Sequence, residues 1–146
     1  MTVRLRNITF DCADADLLVR FWREVTGYDD DPEDPNVPGD DEMLIVPGNG
    51  GPGLLFIPVP EGKTVKNRIH LDVVPLDRTR DEEVERLLGL GASIVGDHRQ
   101  PDGRGWVTMG DPEGNEFCVE RSQAERAVTG DASEPVTEQE VAQVSG

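Results

Sequence analysis

Residues Val3 to Phe10 alternate apolar and polar side chains, the period of a strand with one face turned to a core. From Asp14 to Thr26 the period lengthens. Leu17, Leu18, Phe21, Trp22 and Val25 fall on one side of a helix, Asp14 or Asp16 can cap its start, and Gly27 stands where a left-handed stop is easiest. Two apolar runs follow, Met43 to Val46 and Gly53 to Val59, and the intervening PGNGGPG predicts a hairpin. The order then restarts. Arg68 to Val74 alternates as a strand, and Asp81 to Leu90 reads as a helix opened by Thr79 and Glu82 at capping-box spacing. Ala92 to Gly96, Gly105 to Met109 and Asn115 to Arg121 read as three more strands, with Asp111, Pro112, Glu113 and Gly114 supplying a type I turn before the last.

The two halves repeat at a near-constant offset: 63 residues from Asn7 to His70 and 64 from Gly27 to Gly91. That period is longer than solenoid units, so it predicts two modules closing on each other with one binding site between them. The first half shows only two of the three strands that end the second. The stretch from Asp29 to Glu42, with eight acids and no base, either hides the third or replaces it. Its prolines and self-repulsion read as a solvated connector, and it lacks the spacing and closing glutamate of an EF-hand calcium loop. The glycines of the hairpin turn do not form a phosphate cradle, because no Lys-Ser or Lys-Thr closes the pattern and a strand follows.

The chain has 146 residues, 30 acidic and 14 basic, for a net charge of −16. Such a surface repels phosphate backbones and anionic lipid headgroups, so neither nucleic acid nor membrane is an expected partner. The acidity is peripheral: residues 29–42 carry −8 and residues 123–146 carry −4. It therefore bears on solubility and encounter more than on chemistry, and favours a cationic guest only weakly. Two cysteines make no disulfide framework, and no long apolar stretch reads as a signal or a membrane span, so a cytoplasmic location is expected.

Strand parity sorts the candidate chemistry. Ile69, Leu71 and Val73 are expected under a helix, leaving Arg68, His70 and Asp72 on the other face. Likewise Phe117 and Val119 oppose Glu116, Cys118 and Glu120, while Ile8 and Phe10 oppose Asn7 and Thr9. The polar face is a candidate pocket. Trp106 and Phe56 either line it and stack on a flat ligand or pack in the core. His98, within DHRQPDGRG, reads as a surface residue, and Lys63, Lys66 and Arg68 either receive an anionic group or pair with nearby acids.

The segments NITFDCADADLLVRFW, KNRIHLDVV and GDPEGNEFCVE resemble glyoxalase-like members of the vicinal oxygen chelate superfamily, over residues 3 to 121. The resemblance implies an α+β fold of two βαβββ modules, about 3–60 and 66–121, curling into a cupped mixed sheet. These make a single domain, 1–122, followed by an acidic tail, 123–146. It also suggests a homodimer. Enzymes of the superfamily usually hold one divalent metal on four inward side chains, and those slots fall on Asn7, Ile57, His70 and Cys118. Isoleucine has no donor and asparagine is a weak one, so only His70 and Cys118 are credible ligands, short of the three typical of catalytic zinc. Cys118 itself reads as an inert thiol between Glu116 and Glu120. The expectation is a small-molecule-binding protein without the four-ligand metal or another cofactor, its pocket lined by Asn7, His70, Asp72, Trp106 and Cys118. Its rival is an enzyme: a divalent-metal lyase, isomerase or dioxygenase, or a metal-free catalyst using His70 as acid or base.

Overall fold

A computed structural model of the chain describes residues 2–130. They form two compact units, one of the residues up to Lys66 with Asp111–Gly114, the other of Asn67–Gly110 with the residues from Asn115 onward. Each contains one βαβββ module.

The first unit holds β1 (Asn7–Cys12), α1 (Ala15–Thr26), β2 (Asp29–Asp30), β3 (Met43–Val46) and β4 (Gly53–Pro58), in the sheet order β1-β4-β3-β2. β1 runs parallel to β4 and the other pairs are antiparallel. Asp14 caps α1 by accepting the Leu17 N–H at 3.1 Å, and Gly27 ends it in the left-handed conformation. The helix buries Leu18, Val19, Phe21 and Trp22. Trp22 meets the Phe10 ring edge-on at 5.4 Å and Phe10 meets Phe56 at 5.1 Å, which puts Phe56 in the core beneath α1. The Trp22 indole donates to the buried Asp111 carboxylate at 3.0 Å, and Glu113 accepts the Ala13 and Asp14 N–H groups. The acidic stretch hides the third strand. β2 lies in it, paired with Val46 and Ile45, and is held by an Arg23–Asp30 ion pair. Asn36 adds a clamp, donating to Asp30 and to the Leu44 carbonyl while accepting the Leu44 N–H.

The second unit holds β5 (Asp72–Val73), α2 (Arg80–Gly89), β6 (Ser93–Asp97), β7 (Val107–Gly110), β8 (Glu116–Val119) and α3 (Gln123–Thr129). Its sheet order, β5-β8-β7-β6, reproduces that of the first, with β5 and β8 parallel. Thr79 and Glu82 close the capping box of α2. Val84 and Leu87 on α2 are fully buried, as are Val107, Met109, Phe117 and Val119 on the sheet.

Two sequence expectations are corrected here. The strand read over Arg68–Val74 is only two residues long. Cys118 donates to the Leu71 carbonyl at 2.8 Å and Glu120 to the Val73 carbonyl at 2.9 Å, but no rung precedes Leu71, so Ile69 is 78% exposed instead of packed under a helix. The strand read from Val3 starts at Asn7, and Val3 is exposed. Of the expected tail, residues 123–129 form α3, opened by a capping box of Ser122 and Glu125, while residues 131–146 lie outside the described residues.

Candidate functional site

Along β7 and β8 alternate side chains separate a helix side from a polar side. Val107, Met109, Phe117 and Val119 take the first, while Trp106, Thr108 and Cys118 take the second. Register aligns the polar set: Asp72 is opposite Cys118 and Thr108 is opposite Cys118 from the other side. The Thr108 hydroxyl lies 3.6 Å from the Cys118 sulfur. His70, just ahead of β5, completes a cluster in which one ligand atom each of His70, Asp72 and Cys118 lies within 4.8 Å of the others. Cys118 is 1% exposed, His70 half-buried and Asp72 exposed, so the cluster runs from the interior to the surface. Burial pushes the Cys118 thiol up to about 11, and the Asp72 and Glu120 charges push the same way against the Thr108 hydrogen bond. It is a protonated, quiet thiol at neutral pH.

Trp106 stands two residues before Thr108 on this face and is 8% exposed. The His98 ring stacks on its indole, centroids 4.7 Å apart and planes 24° from parallel, and the His98 N–H donates to the Trp106 carbonyl at 2.9 Å. The indole N–H is buried and has no hydrogen-bond partner among the described residues. The loop from His98 to Gly105 that carries this pair is gripped from behind by Arg80. One guanidinium nitrogen donates to the Gly103, Arg104 and Gly105 carbonyls at 3.1, 3.1 and 2.9 Å. Gly105 adopts φ +92°, and a Cβ there would lie 2.0 Å from the His98 carbonyl oxygen. At the loop's other end Arg99 binds Asp97, whose carboxyl is held down to about 2 mainly by that side-chain hydrogen bond.

The structure thus brings His70, Asp72 and Cys118 together and sets Trp106 on the same face. Asn7 belongs to the first unit, where its Oδ1 lies over Gly53, 3.0 Å from where a Cβ would stand. Thr108, two residues from Trp106 on the same face, was not singled out from the sequence, because alternation was not followed along the strand that holds it. His98 was read as surface but is half-buried against Trp106. The basic cluster is divided, with Lys63 and Lys66 in one unit and Arg68 in the other. A separate groove of about 590 Å³ in the second unit, lined by Val74, Leu76, Thr79, Glu82, Ser122 and Val128 among others, shares no residue with the polar face.

Asp72 stands with His70 and Cys118 in this cluster, beyond the two donors expected from the sequence. Imidazole nitrogen, carboxylate oxygen and thiol sulfur in one cluster form a three-donor set suited to a divalent ion of zinc type, with open positions for water or substrate. The residues present fit such an ion. By strand register Thr9 pairs with Leu55 as Asp72 pairs with Cys118, so Leu55 and Ile57 are the positions of β4 to compare with Cys118. Neither residue has a donor.

Among the described residues no helix is long and apolar enough to cross a membrane. No curated protein matches the chain. Among solved structures, a glyoxalase/bleomycin resistance protein/dioxygenase family enzyme from Burkholderia phytofirmans PsJN superposes with a TM-score of 0.62 at 16% identity, covering 80% of this chain and 97% of that one. The fosfomycin resistance protein FosX from Mesorhizobium loti gives 0.60 at 18% identity, covering 88% and 99%. A mutant FosX from Listeria monocytogenes, complexed with Mn(II) and a dihydroxypropylphosphonic acid, gives 0.64 at 16%, covering 89% and 98%. These likenesses agree on the fold. The model of the glyoxalase-like domain matches residues 7–120, and the chain therefore belongs to that family, within the vicinal oxygen chelate superfamily.

Proposed function

We propose that this chain binds a small molecule on the polar face of β5, β8 and β7, with His70 and Asp72 at its open end and Trp106 at its closed end. The observation that supports this best is the burial of Trp106, Thr108 and Cys118 on the side of the sheet away from its helix-facing core. Polar groups at a buried surface are costly unless they are satisfied, so a face that collects them is built for something besides packing. A thermal-shift screen of cationic aromatic drugs and aromatic metabolites, run with a chelator, tests the reading. A ligand at about a hundred times its Kd adds roughly 2.7 kcal/mol to stability, a rise in melting temperature of several degrees. If no compound produces one, binding as the main role fails.

One observation favours a second reading, a divalent-metal enzyme: the three donors His70, Asp72 and Cys118 lie within reach of a single ion. An ion held there would polarise an oxygen of the substrate, and its site would be completed by water. Elemental analysis of protein purified without chelators separates the two readings. Stoichiometric zinc, nickel, iron or manganese that disappears in His70→Ala favours the enzyme.

A further inference from the structure

Two tryptophans differ in one respect. The Trp22 indole N–H is satisfied by the Asp111 carboxylate at 3.0 Å, whereas the Trp106 N–H, also buried, has no partner among the described residues. Buried donors are nearly always paired, and an unpaired one calls for an explanation. Packing alone does not provide it, because a phenylalanine would fill the core without the cost. The position is also specific. Trp106 is one two-residue step, roughly 7 Å, along β7 from Thr108, and one strand spacing, roughly 5 Å, separates Thr108 from Cys118. One face of the indole is covered by His98 and its N–H is buried, so a ligand oxygen would meet that N–H at the indole's edge, inside the polar face.

We infer that Trp106 is the specificity-determining donor of this face, and that it selects ligands bearing a neutral carbonyl or amide oxygen. The inference rests on the proposed binding role and names its ligand class. Neutrality follows from the neighbours. Asp72 is exposed beside the cluster, Glu116 accepts the Asn67 N–H at 2.9 Å, and Glu120 is paired with Arg126 at 3.2 Å. A carboxylate or phosphate entering past the exposed Asp72 meets its negative charge, whereas an uncharged oxygen accepts the indole proton without that repulsion. A hydrogen-bond donor or cationic group elsewhere on the same ligand then faces Asp72.

The test uses the full chain labelled uniformly with ¹⁵N, read at the indole nitrogens and at the backbone amides, with Trp22 as internal reference. In the free protein the Trp106 indole proton should resonate upfield of the Trp22 proton, as expected for an unbonded N–H. Acetophenone and benzamide serve as carbonyl and amide probes, and α-methylstyrene as the acetophenone isostere without an acceptor. The carbonyl and amide probes should move the Trp106 indole proton downfield and leave Trp22 in place, while α-methylstyrene should not move it. Trp106→Phe should weaken acetophenone binding about tenfold or more and leave α-methylstyrene binding unchanged. A Trp106 proton already as far downfield as that of Trp22 in the free protein overturns the inference, since it then has a partner. So does an equal response to acetophenone and α-methylstyrene. If probes shift the His70, Thr108 and Cys118 resonances but not the Trp106 indole, the inference fails and the binding role stands. If no probe shifts any of them, both fail.

Discussion

Removing the Arg80 side chain should cost this protein a large part of its stability. It is 4% exposed at the first position of α2, where a positive charge meets the positive end of the helix dipole, so its presence there needs a tertiary reason. That reason is the cage of the Gly103, Arg104 and Gly105 carbonyls, each within 3.1 Å of one guanidinium nitrogen. Its ion pair with Asp81 adds little by itself, because Asp81 is 60% exposed. Hydrogen bonds from a charged donor contribute about 1.5–3 kcal/mol each. The three carbonyls share one nitrogen and can turn to water once released, so the loss is less than their sum. Breaking a buried charged network of this kind costs about 3–5 kcal/mol, against roughly 5–15 kcal/mol for a domain. Arg80→Ala should therefore lower the free energy of urea unfolding by about 3–5 kcal/mol. Arg80→Lys should recover only part of it, because an ammonium group on a shorter stem does not reproduce the fork. The same variant should disturb the His98 and Trp106 resonances, since the released loop carries both. A loss below about 1 kcal/mol, with those resonances unmoved, would refute the reasoning.

Gly105→Ala forces a side chain into φ +92° and a Cβ to 2.0 Å from the His98 carbonyl, so a backbone shift is unavoidable. A loss of at least about 2 kcal/mol and of the His98–Trp106 stack is expected in chemical denaturation and in the NMR spectrum. Trp22→Phe removes the donor from the buried Asp111 carboxylate and should cost about 2 kcal/mol by the same assay; a change under about 0.5 kcal/mol would contradict the hydrogen bond's role. Cys12 and Cys118 are both raised from 9.0 to about 11, chiefly by burial. Their stabilising contribution is whole below pH 9, where both states are protonated, and is lost as pH rises toward 11 because the unfolded thiols ionise first. The linkage amounts to roughly 3 kcal/mol per thiol at most, so stability measured from pH 8 to 10.5 should decline, and Cys118→Ala should flatten that decline by about half.

What the sequence made legible was whatever depends on local chemistry. The cap at Asp14, the stop at Gly27, the capping box at Thr79 and the turn from Asp111 to Gly114 are each set by a few adjacent residues, and each lies where it was read. β2 was only half legible, because two aspartates have no strand propensity and their place depends on Arg23 and Asn36, side chains remote from any local pattern. The strand before Val74 was overextended for the opposite reason: Arg68 to His70 alternates well but forms no ladder rung among the described residues. At the site, parity found His70, Asp72 and Cys118. It did not single out Asp72 as a donor or Thr108, and it could not place His98 on Trp106, since the cluster follows from cross-strand register and the stack from loop packing, neither of which alternation along one strand reveals.

The repeat explains why the chemistry is lopsided. In both units the helix-facing positions are apolar, Leu54 and Phe56 in the first and Phe117 and Val119 in the second, because the burial of a helix makes the same demand twice. The opposite face is under no such demand and has diverged. Where the second unit has Asp72, Thr108 and Cys118 in register, the first has Thr9, Leu44 and Leu55. Asn7, the counterpart of His70, and Asp11 keep strongly polar side chains on that face of β1, and Gly53 beside Asn7 leaves the room its side chain occupies. Donors able to orient or activate a ligand are therefore concentrated in one module, and the other offers mostly apolar surface at the equivalent positions. A single substitution in the second module, at His70 or Trp106, should consequently change binding far more than its counterpart at Asn7 or in β3, which titrations of paired variants can measure directly.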